Sequence, residues 1–203
     1  MTTELGQRLP RVPVTVERWS ADSGYSPAVM ADELVLRELE EADEVPFKEA
    51  VREFAEADPD WPFAFHFDLD GDFAEYVRRL RDQRVGRSLP PGFVSATYLV
   101  ALVSGRVVGR VSLRHTLNDF LRDFGGHVGF AVVPSARGRG YATEMLRRTV
   151  PLARRLGIGR LLVTCDDDNR ASATVIERGG GVLEDKRPRQ DGGLSRRYWI
   201  AVD

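Results

Sequence analysis

Residues 134–146 read PSARGRGYATEML, with Gly138 and Gly140 alternating with Arg137 and Arg139 at the mouth of an amphipathic run. The chemistry open to such a stretch is anion binding. Where a glycine-rich loop leads into a helix, the first N–H groups of the helix have no partner. Together with the helix dipole they attract phosphate above all. The dipole alone contributes about 0.3–1 kcal/mol, while each hydrogen bond to a charged group contributes about 1.5–3 kcal/mol. The amides must therefore dominate, and they need main chain that can touch the ligand, which glycine allows. Arg137 and Arg139 add positive charge at the rim. A plain turn before a helix would use glycines too. The spacing also fits neither G-x-x-x-x-G-K-[ST] nor G-x-G-x-x-G, since residue 143 is threonine.

Other stretches offer weaker chemistry. FDLDGD (67–72) looks like a calcium loop, but counting from Asp68 the required glycine is Phe73 and the required glutamate is Arg79. Turn and helix-cap duty is expected for Asp70, Gly71 and Asp72. CDDDN (165–169) needs no metal, because a cap at a strand end accounts for it. Cys165 reads as a small buried hydrophobe. RRLRDQRVGR (78–87) is basic, yet Asp82 within it and the net charge of −2 favour a solvated helix face over a nucleic-acid contact.

The elements that must position these residues follow from periodicity. Residues 34–39 read as a short strand. Phe47, Ala50, Val51 and Phe54 mark a first helix. Asp72 with Glu75 opens a second, whose apolar face is Phe73, Tyr76, Val77 and Leu80. ATYLVALV (96–103) and RVVGRVSL (106–113) flank Ser104-Gly105, a hairpin signal. Residues 116–126 form a loop or short helix, and HVGFAVVP (127–134) a buried strand. The quoted stretch opens a helix to about Leu156, with Tyr141, Ala142, Met145, Leu146, Leu152, Ala153 and Leu156 on one side. Pro151 is expected to kink or split it near Arg147. A strand at 160–166, a short helix closed by Gly179–Gly181 and a final hairpin complete the chain. This order implies one mixed sheet with helices on both faces, an α/β (α+β) class.

With 203 residues the chain can bury one sizeable core. Its 42% hydrophobic and 30% charged residues are ordinary for a globular protein. Residues 1–32 read as a partly ordered extension before a domain over 33–203, without the apolar core of a signal peptide. No apolar run approaches the roughly 18 residues that span a bilayer. A single cysteine, Cys165, suits a reducing cytoplasm.

FAVVPSARGRGYATEML (130–146) resembles the acetyl-CoA-binding motif of the GNAT superfamily of N-acetyltransferases: a hydrophobic strand, a proline, then [RQ]-x-x-G-x-[GA], here Arg137, Gly140 and Ala142. LLVTCDDDNRASATVIERGGG (161–181) resembles the family's next block, and SLRHTLNDFLRDFGGHVGF (112–130) is similar to a bacterial subgroup of GNAT-like proteins. The resemblance implies a mostly antiparallel sheet of six to seven strands, splayed between two central strands, with acetyl-CoA as cosubstrate and no metal. It implies that Val132 and Val133 pair with the pantetheine arm, that Arg137, Gly138, Arg139, Gly140, Tyr141 and Ala142 wrap the pyrophosphate, and that Asn169 contacts the arm. An acceptor amine, of a small molecule or a protein, would attack the thioester directly, with the Val132 N–H holding the oxyanion. Freeing an amine of pKa about 10.4 at neutral pH costs about 4 kcal/mol, so a base is expected: His127 first, His115 second. Where many members carry a tyrosine, this chain has Ile176, and Ser172 is the substitute donor considered. A cationic acceptor would suit Asp58, Asp60, Asp68 and Asp70 beside Trp61, Phe63 and Phe65, with His115 also expected on the acceptor side; a solvated loop would use the same acids. A homodimer is common in the family. The alternative is a non-catalytic acyl-CoA-binding module, which Ile176 keeps open.

Overall fold

The computed structural model describes residues 34–202; the expected extension at 1–32 lies outside them. The described elements are strand β1 (Val35–Glu38), helices α1 (Glu44–Ala57) and α2 (Phe73–Arg84), strands β2 (Ala96–Val103), β3 (Arg106–Arg114) and β4 (Val128–Val132), helix α3 (Tyr141–Arg155), strand β5 (Arg160–Asp166), helix α4 (Arg170–Arg178), and strands β6 (Val182–Pro188) and β7 (Leu194–Ala201). The local reasons are legible. Asp72 caps α2 by accepting from the Glu75 amide at 3.1 Å, and Asn169 caps α4 by accepting from the Ser172 amide at 2.9 Å. Ser104 and Gly105 take φ of 49° and 77°, the left-handed pair that matches the twist of a two-residue hairpin.

The strands form a seven-stranded sheet in the order β1-β2-β3-β4-β5-β7-β6. Every neighbouring pair is antiparallel except β4–β5, which is parallel and meets at one rung, Val128 with Val163. Beyond that rung the two strands part.

Helices cover both faces. A Cβ on Gly109 would stand 3.0 Å from the Met145 thioether, so the odd residues of β3 face α3. Arg110 donates to the Pro62 carbonyl, so the even residues face the 58–72 loop. That side holds an aromatic cluster around Phe47, with ring centroids of Phe63, Phe67, Phe73, Tyr76 and Tyr98 5.2–6.3 Å away. Such pairs contribute about 0.5–1.5 kcal/mol each beyond area burial.

Two expectations are corrected. Pro151 does not split the third helix, which runs unbroken over Tyr141–Arg155. Burial of Met145, Leu146, Thr149 and Ala153 against the sheet outweighs the missing hydrogen bond. Leu156 is not on the apolar side; it is the C-cap and 45% exposed. The loop at 116–126 contains a single π turn at Leu121–Gly125.

Candidate active site

At the mouth of α3 the chain makes a left-handed turn twice. Gly138 and Gly140 have φ of 77° and 82°. That region costs an L-residue with a side chain roughly 1–2 kcal/mol. A Cβ at either would meet nothing within 4 Å, so the main chain here borders open space. The amides of Tyr141, Ala142 and Thr143 precede the first intrahelical bond, which Glu144 makes to the Gly140 carbonyl at 3.1 Å. Glycine conformation, open surroundings and unspent amides together fit a diphosphate.

The loop is pinned from behind. Glu53 on α1 accepts from the Ser135 amide at 2.6 Å. Arg137 turns away from the glycines: it pairs with Asp58 at 2.7 Å, donates through Nε to the Val132 carbonyl at 3.2 Å, and lies 5.6 Å from the Phe54 ring. Its side chain shapes the loop, leaving Arg139, among the described residues, as the free cation of the rim.

The β4–β5 gap opens beside this loop. Val133 donates to the Val108 carbonyl at 3.0 Å and Arg114 to the His127 carbonyl at 2.7 Å, so the odd residues of β4 face β3. Main-chain groups alternate sides along a strand, so those of Phe130 and Val132 point across the gap. The Val133 carbonyl is also taken, by the Ala136 amide. Of the two valines, Val132 alone therefore offers an N–H to a ligand between the strands.

His127 stands at the closed end of the gap. Its Nδ1 accepts from the Leu162 amide at 2.9 Å and its own amide donates to the Leu162 carbonyl at 2.7 Å, so ring and backbone tie β4 to β5. Burial, with the charges of Arg114 and Arg122 adding to it, holds its pKa down at about 4. Five residues of strand, roughly 16 Å, separate it from Val132. His115 lies beyond the end of β3, its Nε2 paired with the Thr97 hydroxyl at 2.9 Å and its pKa lowered by burial and by Arg84.

On the far side, Asn169 spends its carbonyl oxygen on the α4 cap. Ser172 is half-buried in the first turn, and its hydroxyl has no partner among the described residues. Ile176 is fully buried. Burial pushes the Cys165 thiol on β5 up to about 11, so it stays protonated.

Of the acceptor-side carboxylates, Asp58 pairs with Arg137 and Asp68 serves a turn. Asp68 is exposed and accepts from the Asp70 amide at 3.0 Å. It lines a shallow pocket of about 190 Å3 with Phe67, Asp72, Glu75 and Arg79; Asp70 does not reach it. Along residues 78–87 the charges are paired, Arg81 with Glu41 and Arg84 with Glu38. Among the described residues no three metal-ligating side chains gather, and no helix is long and apolar enough to cross a membrane.

Sequence reasoning missed Arg110 and Arg114. Both point inward from β3, toward the loop face. The sequence carries no signal of it: Arg106 and Ser112 share the even positions of this strand with them, the pattern of a solvated face.

Comparison with known proteins gives the same picture. The family model described as acetyltransferase (GNAT) domain matches residues 33–182. No curated protein matches the chain. Among solved structures, a ribosomal-protein-S5-alanine acetyltransferase from Vibrio fischeri superposes with a TM-score of 0.65 at 18% identity, over 84% of this chain and 93% of that one. A putative acetyltransferase from Salmonella typhimurium, solved with acetyl-CoA, gives 0.58 at 17%, over 84% and 94%. A ribosomal L7/L12 α-N-protein acetyltransferase in complex with coenzyme A gives 0.59 at 22%, over 84% and 96%.

Proposed function

The chain belongs to the GNAT acetyltransferase domain family, and from that premise we propose that this acyltransferase moves an acetyl group from acetyl-CoA to a primary amine by direct attack in a ternary complex. We assign the activity to a domain over 33–203, acting in the cytoplasm. The observation that carries the reading is the pair of left-handed glycines opening unspent amides beside a gap into which the Val132 N–H points.

When bound, acetyl-CoA supplies an activated acyl group and a thiolate leaving group. The amides of residues 138–143 hold its diphosphate, and Arg139 neutralises charge at the rim. The Val132 N–H donates to the thioester carbonyl and more strongly to the oxygen as it turns negative. A single well-placed donor of this kind contributes about 10²–10³ in rate. Arg137 holds the adjoining peptide group, through the Val132 carbonyl. The free hydroxyl of Ser172 is the relay we assign: it would take up the proton that the attacking nitrogen sheds as it gives its own to the departing thiolate, and so return to its starting state. His127 acts as a positioning residue. Its Nδ1 is occupied and its pKa is about 4; such a group at that distance is a poor base for an amine.

Two variants test the reading. Gly140→Glu places a carboxylate where the diphosphate would lie and should abolish CoA binding by calorimetry with the circular dichroism spectrum unchanged; unaltered affinity would sink the assignment. Ser172→Ala should lower kcat on the order of 10²-fold at constant CoA affinity. Ile176, buried where the resemblance implies a hydroxyl, favours the second reading, a CoA-binding module. Tight CoA binding without thiol release to any amine would select it.

A further inference from the structure

Strand β3 carries two arginines that the chemistry above leaves unused. Arg110 is 2% exposed and Arg114 is half-buried. Arg110 gives Nη2 to the Pro62 carbonyl at a long 3.3 Å, lies 5.7 Å from the Phe65 ring, and its buried Nε has no partner. Arg114 gives Nη1 to the carbonyls of Gly125 and Gly126 at 2.9 and 3.3 Å. Neither meets a carboxylate among the described residues, although the chain has 31 acidic residues.

The two side chains converge. A Cβ on Gly129 would stand 3.5 Å from Nη1 of Arg110 and 3.6 Å from both terminal nitrogens of Arg114. Glycine at that position leaves the space between the heads clear. The buried hydroxyl of Tyr76, close enough to interact with the Arg110 charge, is also without a partner. Burial lowers the pKa of both arginines, and the Arg110 charge adds to the penalty on Arg114, bringing it to about 10. Burying like charges with unspent donors is costly unless an anion completes the set.

Position supplies the rest. Gly129 lies on β4, the strand bordering the gap, three residues or roughly 10 Å before Val132. The 58–72 loop covers Arg110 through Pro62 and Phe65, while Arg114 is held by the carbonyls of Gly125 and Gly126.

We propose that Arg110 and Arg114 form an anion subsite for the acceptor, which is therefore a small amine carrying a carboxylate or a phosphate. The proposal rests on the acetyl-transfer reading of the gap. It reverses the cationic acceptor that the exposed aspartates of the loop suggested.

The experiment measures acetyl-CoA-dependent thiol release by the full chain with three matched pairs: 4-aminobutyrate and 4-aminobutanamide, phenylalanine and phenylalaninamide, phosphoethanolamine and ethanolamine. In at least one pair the anionic member should have a kcat/KM on the order of 10- to 100-fold higher. Which pair responds separates carboxylate from phosphate. Arg110→Met should erase the preference through KM at unchanged CoA affinity, and Arg110→Lys should keep part of it. Arg110→Met should also raise the melting temperature of the ligand-free chain, since methionine fills the volume without an unpaired charge. Neutral members reacting as well as anionic ones, or a lower melting temperature in Arg110→Met, overturns the proposal. If the chain binds CoA yet turns over none of the six, the acetyl-transfer reading has failed. The melting temperature of Arg110→Met then decides the subsite alone, a rise supporting it and a fall overturning it.

Discussion

His127 is fixed by main chain: one ring nitrogen takes the Leu162 amide, and the histidine's own amide returns a bond to the Leu162 carbonyl. This has a measurable cost in acid. Its folded pKa is held at about 4 against 6.5 unfolded. The unfolded chain therefore binds the extra proton first, and stability present above pH 6.5 is lost as the pH falls toward 4. Melting temperatures between pH 7.5 and 4.5 should fall. His127→Asn, whose amide oxygen can accept from the same N–H, should flatten the slope; parallel slopes would clear His127. The sequence could show that a histidine opens the strand, but not that its acceptor nitrogen is spent. Arg110 and Arg114 were illegible for a related reason. On a strand of apolar residues, an arginine that snorkels outward and one that points into the core are written alike. Gly138 and Gly140 were legible because their conformation leaves few alternatives.

Elements were read well where local chemistry and packing agree. β2 and β5 span the residues expected of them, 96–103 and 160–166, and α2 starts at the Asp72 cap. They were misread where packing overrides local preference, and α3 is the example. A proline in a helix interior costs about 3 kcal/mol, yet α3 continues through Pro151 because its buried stripe holds both ends against the sheet. That cost is still present in the native state. Pro151→Ala restores an N–H for the Arg147 carbonyl, less about 0.4–1 kcal/mol of lost unfolded-chain restriction. We expect a gain of about 2 kcal/mol, or roughly 4–8 °C in melting temperature; no rise would mean that the helix already bends to remove the clash. The β3–β4 seam has no such slack. Gly109→Ala would put a Cβ 2.7 Å from the Ala131 carbonyl oxygen and 3.0 Å from Met145, and should cost about 1–3 kcal/mol.

Over the whole molecule, the proposed site draws on both halves of the sheet: Val132 ends β4 and the glycine loop follows it, while Asn169 and Ser172 follow β5. A ligand touching both should stabilise the chain as one body. At a hundredfold excess over Kd, CoA should add about 2.7 kcal/mol, or about 5–10 °C in melting temperature. Gly140→Glu should show no increment, and an equal increment in that variant would place CoA elsewhere. The alternation of elements made the mixed sheet readable. The parting of β4 from β5 came only from family resemblance, since nothing in either strand's composition forbids a full ladder between them.

The single rung between Val128 and Val163 has a consequence for motion. Across most of its height the sheet is two ribbons, β1 to β4 and β5 to β7, clamped near one end by that rung and the His127–Leu162 bonds. Peptide groups of Phe130 and Val132 should trade hydrogen for deuterium far faster than those of the neighbouring β2–β3 hairpin, and should slow sharply once the slot is filled.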